Sequence, residues 1–150
     1  SDFRAKLLWE RGAAGPLDPY TRDHSLTYGS GQQAAGSAAP DYQGAADRLN
    51  PEEAFVGAMS ACHMLTFLAI AAHKKLHVEV YEDAATGSLG KNAEGRMAVT
   101  EVVLRPMVRF LPGVEVGAEA LEKLHAAAHR GCFIAQSVKT AVRLEPGLLP

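Results

Sequence analysis

From Ala54 to Ala72 the chain runs for 19 residues without an Asp, Glu, Lys or Arg. About 20 apolar residues suffice to cross a bilayer. This run, however, is rich in Ala and Gly, contains Ser60 and His63, and stands alone in an otherwise polar chain. A helix that is apolar all round is more simply the centre of a core. A domain of 150 residues rarely surrounds one helix completely. The expectation is therefore a homodimer in which two such helices pack, with no membrane as partner. The start of the helix is marked in the sequence. Asn50 is a good N-cap, Pro51 suits the first helical position, and Glu53 completes a capping-box variant with Asn in place of Ser or Thr. The helix is expected over about 50–75, with Lys74 and Lys75 complementing its negative end.

The length fits one domain, 1–150, with one core. Hydrophobic residues make up 47% and charged residues 21%, which places the chain in the soluble globular class. A net charge of −2 provides no basic field for nucleic acid or an anionic membrane surface. No secretory pattern is visible where Asp2, Arg4 and Lys6 interleave with Phe3, Leu7 and Leu8. Two cysteines are too few for a secreted disulfide scaffold, and in a reducing cytoplasm such a pair is more often catalytic or metal-binding. The sequence holds no Walker loop, dinucleotide fingerprint or catalytic Ser motif.

The remaining pattern predicts an α+β chain. Strands are expected over Phe3–Glu10, Asp23–Tyr28 and Gln32–Ser37, with a turn-rich connection at Gly12–Pro19 and a loop at Ala38–Leu49. Val78–Leu89 and Arg96–Phe110 read as a hairpin turning through Gly90–Gly95. Val102, Leu104, Val108 and Phe110 share one face of its second arm, and Pro106 points to an edge or a bulge. A second helix is expected over 116–130, with Leu121, Leu124, His125 and Ala128 at helical spacing and Gly131 as its stop. Val138, Thr140, Val142 and Leu144 alternate as a last strand.

Cys62 lies inside the charge-free helix and Cys132 follows the second one. A thiol reacts as the thiolate, and apolar burial raises its pKa. Cys62 stands about three turns inside its helix, beyond the reach of the helix dipole. It therefore needs a cation from elsewhere in the chain to become reactive, or it is an inert core thiol. Cys132, after a helix stop, could meet a backbone amide cluster or a new helix start. That position reads as more accessible than mid-helix and suits a resolving thiol, although a plain core Cys fits too. Arg22 is a candidate cation, or a solvated Arg beside Asp23. Glu52 fits the first helical turn as a dipole-complementing acid. His63, His129, Cys62 and Cys132 make a weak zinc constellation without a standard ligand spacing.

Taken together, four motifs closely resemble the OsmC/Ohr family of osmotically inducible protein C and the organic hydroperoxide resistance proteins. They are Asn50-Pro51-Glu52-Glu53, Ser60-Ala61-Cys62-His63, Gly90-Lys91-Asn92-Ala93-Glu94-Gly95, and Ala128 to Val138 with Cys132 at its centre. The likeness extends from about Tyr20 to Pro146. Phe133 stands where the organic hydroperoxide resistance branch usually has Pro, which brings the chain closer to the OsmC-like branch. The resemblance implies an intertwined homodimer with two long central helices (about 50–75 and 116–130) enclosed by antiparallel sheets. It implies a thiol-dependent peroxidase reducing organic hydroperoxides, with Cys62 peroxidatic, Cys132 resolving, a disulfide between them, Arg22 activating and Glu52 holding Arg22. No cofactor or metal is implied beyond an external dithiol reductant of the lipoyl type. Phe55, Met59, Leu65 and Phe67 could line a pocket for bulky alkyl or lipid peroxides, or be plain core. His63 is a further candidate to touch substrate. Glu52 and Cys62 are ten residues apart, about 15 Å of straight helix. Either the helix breaks near Gly57, or Glu52 and Arg22 serve Cys62 of the other subunit. The alternative from another class is a non-catalytic dimer that senses redox state or binds an apolar ligand. A structural metal protein is the third.

Overall fold

The computed structural model describes residues 1–12 and 19–150, so most of the expected connection at Gly12–Pro19 lies outside the described residues. Contacts divide the chain into two compact units, Ser1–Ala54 and Phe55–Pro150.

In the first unit, β1 (Ala5–Leu8), β2 (His24–Tyr28) and β3 (Gln33–Gly36) form an antiparallel sheet in that order. The segment after β3 is more ordered than the expected loop. It makes a 3₁₀ turn at Pro40–Tyr42 and returns alongside β3 through a parallel bridge from Leu49 to Gly36. Arg48 pins it there, donating from Nε to Gly36 O at 2.9 Å and from Nη2 to His24 O at 3.0 Å. Gly44 is fixed by space, because a Cβ there would lie 1.6 Å from Ala38 O. Asn50 caps the first long helix as expected: its Oδ1 accepts from Glu53 N at 2.8 Å. The reciprocal bond differs from the usual box, since the Glu53 carboxylate takes the Asn50 side-chain amide at 2.5 Å.

That helix, α1 (Pro51–His73), is unbroken through Gly57, so the expected alternative of a break near Gly57 does not occur. It ends two residues before the expected Lys75. Lys75 adopts φ 59°, and the bonds Lys75 N to Ala72 O and Leu76 N to Ala71 O close a Schellman-type stop. By length and composition α1 could cross a membrane. In the second unit its Met59, His63, Phe67 and Ala71 are buried instead.

The expected hairpin is present but folded in two. β4 (Val78–Asp83) pairs with β7 (Pro106–Phe110), and β5 (Thr86–Lys91) pairs with β6 (Met97–Leu104). The arms therefore belong to two sheets, meeting at a corner around Ala84–Ala85 and Arg105. Asp83 holds that corner: Oδ1 accepts from Arg105 N at 2.6 Å and Oδ2 from Ser60 Oγ at 2.5 Å. Pro106 opens β7, where a missing N–H is tolerated. The strand it opens is central, not an edge, because β7 lies between β4 and β9. The expected one-sided burial of β6 also gives way, since Val103 is buried along with Val102 and Leu104. Central strands covered on both faces read as continuous apolar runs.

α2 (Ala118–Gly131) buries Leu121, Leu124, His125 and Ala128, as its spacing predicts. Gly131 remains helical and is not the stop. Cys132 is both the C-cap of α2 and the N-cap of a short α3 (Phe133–Gln136). The last strand is shorter than expected, β8 (Ala141–Leu144), and a further strand β9 (Gly147–Leu148) follows it. β8 pairs parallel to β6, and β9 parallel to β7. Both sheets are thus mixed where antiparallel sheets were expected. Parallel neighbours need a long crossover, and α2 and α3 supply it. The apolar interior forms two clusters. Met59, Val102, Leu104 and Cys132 make one. Phe67, Ala71, Val108, Leu121, Leu124 and Ala128 make the other.

Candidate functional site

Cys62 and Cys132 meet. One comes from the middle of α1, the other from the junction of α2 and α3, and Cys62 packs against the apolar cluster that contains Cys132. No disulfide joins them. Their accessibilities reverse the sequence expectation: Cys132 is fully buried, and Cys62 is the partly exposed thiol. The helix junction is covered because Cys132 sits in the Met59 cluster, whereas the face of α1 bearing Cys62 is only half covered.

The two sulfurs are pushed in opposite directions. Burial raises Cys62, but the N–H of Ile134, the Cys132 thiol, the N–H of Phe133 and the Thr66 hydroxyl outweigh it, and its pKa falls below the ordinary thiol value. Burial also raises Cys132, the hydrogen bond to Cys62 raises it further, and the result stays above the ordinary value although the N–H groups of Ala135 and Ile134 oppose it. Hydrogen bonds to the charged form are one of the three ways to shift a pKa. The expectation that only a cation could activate Cys62 is corrected on this point. The leading stabilising groups are hydrogen-bond donors, and most come from the chain turning at Cys132. The sequence signal was available in part: an amide cluster was expected beside Cys132, and it serves Cys62 too. Thr66, one turn beyond Cys62, passed without notice. A lone Thr in an apolar helix ordinarily bonds its own backbone.

Arg22 and Glu52 belong to the first unit. They line one cavity of about 570 Å³ together with Trp9, Tyr20, His24 and Tyr42. Arg22 donates from Nη1 to Tyr20 O at 2.6 Å, and its guanidinium lies 4.1 Å from the centre of the Tyr20 ring. The expected Arg22–Glu52 pair is not among the ion pairs of the described residues.

The five expected substrate contacts separate, with Leu65 exposed on the surface of α1. Met59 and Phe55 share the apolar cluster of the thiol pair. Phe67 is fully buried in the other cluster, which matches the plain-core alternative and not a pocket wall. His63, also expected to touch substrate, is 1% exposed and faces His125. Its Nε2 lies 3.0 Å from His125 Nδ1, and the rings stack with centroids 5.2 Å apart. Burial holds both imidazoles down to about 4. Their outer nitrogens, His63 Nδ1 and His125 Nε2, have no hydrogen-bond partner among the described residues. Among the described residues no three His, Cys, Asp or Glu side chains converge to hold a metal ion.

An α+β fold with two long helices and mixed sheets, carrying a pair of free thiols of which one is buried and one partly exposed, defines a class of protein. The OsmC-like protein family model matches residues 44–146. A comparison with curated proteins finds no match. Among solved structures, an OsmC-like protein of unknown function from Vibrio cholerae superposes with a TM-score of 0.93 at 41% identity, over 97% of this chain and 99% of that one. An organic hydroperoxide resistance protein from Legionella pneumophila gives 0.72 at 18% identity over 100% and 98%. OhrB, the organic hydroperoxide resistance protein of Bacillus subtilis, gives 0.69 at 18% identity over 99% and 98%. The chain belongs to the OsmC-like family.

Proposed function

We propose that this protein is a thiol-dependent peroxidase that reduces organic hydroperoxides to alcohols. The observation that carries the reading is the pair of touching thiols with opposed acidities: one partly exposed and favoured as thiolate, the other buried and kept protonated. The Cys62 thiolate attacks the distal peroxide oxygen. An S–O bond forms, the O–O bond breaks, and the leaving alkoxide takes up a proton to become the alcohol. The Cys62 sulfenic acid that remains is attacked by the Cys132 sulfur. An S–S bond forms and water leaves, carrying the Cys132 proton. An external dithiol, of the lipoyl type in this proposal, then reduces the disulfide by exchange.

The working form in this reading is a homodimer in a reducing cytoplasm. Its support is the apolar surface left uncovered on α1, where Ala58, Ala61, Leu65, Ala69 and Ala72 are all exposed and Leu65 is 62% exposed. Because α1 is continuous, Glu52 and Cys62 stay about 15 Å apart along its axis. Arg22 and Glu52 therefore serve Cys62 of the second subunit, where the guanidinium adds charge to the hydrogen bonds already on the sulfur. Phe55 and Met59 give the peroxide an apolar wall favouring bulky alkyl or lipid substrates.

Stopped-flow mixing of reduced protein with cumene hydroperoxide tests the proposal. The expected result is stoichiometric alcohol with two thiols lost per turnover and sustained consumption when a dithiol is supplied. Oxidation that stops after one equivalent with every dithiol tried would favour a non-catalytic redox sensor and end the peroxidase reading.

A further inference from the structure

Arg22 stands in a stretch of the first unit whose backbone is held from several sides. The Trp9 indole donates from Nε1 to Thr21 O at 2.8 Å, Asp23 N donates to Thr21 Oγ1 at 3.1 Å, and His24 Nδ1 lies 2.8 Å from Arg22 O. The Arg22 side chain turns back onto the residue two before it. Nη1 donates to Tyr20 O at 2.6 Å, and the guanidinium carbon lies over the Tyr20 ring, 4.1 Å from its centre. Arg11 stands further from the same ring, at 5.9 Å. Trp9 meets Tyr20 edge to face, at 86° with centroids 6.1 Å apart, a favoured aromatic geometry that sets the plane of the ring. Trp9, Tyr20, Arg22 and Glu52 all line the one cavity of this unit already described. Among the described residues no ion pair engages Arg22 or Glu52.

Resting on the peroxidase reading for its role in turnover, we infer that Tyr20 is a positioning residue: its ring and its carbonyl, and not the Glu52 carboxylate, hold the Arg22 guanidinium at the cavity wall. A planar guanidinium stacks on an aromatic face, drawn there by the negative face of the ring. A carboxylate would hold it as well, but the opposite charge would cancel most of its field at a distance. A ring and a carbonyl carry no net charge. Held by Tyr20, Arg22 keeps its full charge for an anion brought to the cavity, which in the shared site of the dimer is the Cys62 thiolate of the second subunit.

Two measurements on the reduced full chain test this. The first is the NMR resonance of the Arg22 Nε–H, assigned by its loss in Arg22→Ala. A proton over an aromatic face is shifted upfield by the ring current. The shift is expected in the wild type, in Tyr20→Phe and in Glu52→Gln, and is expected to vanish in Tyr20→Leu. Tyr20 is 49% exposed, so these variants disturb no core. The second is iodoacetamide alkylation of Cys62 at pH 7, with the Cys62 peptide quantified by mass spectrometry. Tyr20→Leu is expected to slow it by about two- to fivefold, the worth of an exposed cation–π contact, and Tyr20→Phe to keep the wild-type rate. An unshifted resonance in the wild type, a shift that survives Tyr20→Leu, or one lost in Glu52→Gln instead overturns the inference. So does a wild-type alkylation rate in Tyr20→Leu. Neither measurement needs peroxide, so the two readings fail separately. A chain that meets both expectations yet consumes no hydroperoxide loses the peroxidase reading alone, and one that consumes hydroperoxide without meeting them loses Tyr20 alone.

Discussion

Acid should unfold this protein through the buried His63–His125 pair. Both rings are essentially inaccessible, at 1% and 2% exposure, and burial holds each near 4 in the folded chain. The unfolded value is about 6.5. As pH falls through 6.5 the unfolded chain takes up protons that the folded chain refuses. Stability is therefore full above about 6.5, declines between 6.5 and 4, and levels off below the folded value. The complete shift corresponds to about 3 kcal/mol for each ring, and about 2 kcal/mol of it is gone by pH 5. For the pair, the loss between pH 7.5 and pH 5 is about 4 kcal/mol. With a urea slope of about 2 kcal/mol per molar, the unfolding midpoint should drop by about 2 M. The matched control is the double variant His63→Leu/His125→Phe, which removes both polar partners together and keeps an aromatic ring against Phe67, now 4.4 Å from His125. Replacing both partners is close to neutral at pH 7.5, whereas His125→Phe alone leaves His63 Nε2 without a partner and costs about 1–3 kcal/mol. Urea titrations followed by far-ultraviolet circular dichroism at both pH values give the comparison. If the double variant loses as much midpoint as the wild type on acidification, the buried rings are not the source and the reasoning fails.

Three further outcomes are expected. Cys132→Ser should still react once with cumene hydroperoxide but lose sustained turnover, and intact mass should show Cys62 carried to the sulfinic acid, two oxygens heavier, under excess peroxide; a chain that cycles normally removes Cys132 from the mechanism. Lys75→Gly relieves a left-handed residue at φ 59° and should stabilise by about 1 kcal/mol, read as a higher urea midpoint with an unchanged slope; an unchanged or lower midpoint refutes the strain. Mixed dimers of Cys62→Ser and Glu52→Ala chains should recover about a quarter to a half of wild-type turnover if the sites are shared between subunits, and no more than the parents if each subunit is self-contained.

Much of this could be read from residue order. Asn50, Pro51 and Glu53 act within one turn, so the start of α1 needed no tertiary information. Leu121, Leu124, His125 and Ala128 bury as their spacing requires, because amphipathic periodicity records which side of a helix is covered. The elements that escaped were those decided by distant partners. β9 is two residues long and exists through its ladder to β7. The corner at Arg105 is made by Asp83, 22 residues earlier, and nothing in the alternation of the hairpin marks it.

The same division runs through the site. The sequence by itself determined that two thiols would lie in helical, mostly uncharged surroundings, and its motifs marked both of them. Which thiol is exposed, and what lowers its pKa, was decided only when α3, capped by Cys132, turned the N–H groups of Phe133 and Ile134 toward a sulfur 71 and 72 positions away in the chain. Acidity is a property of the groups surrounding an atom, and for Cys62 most of those groups come from another part of the chain.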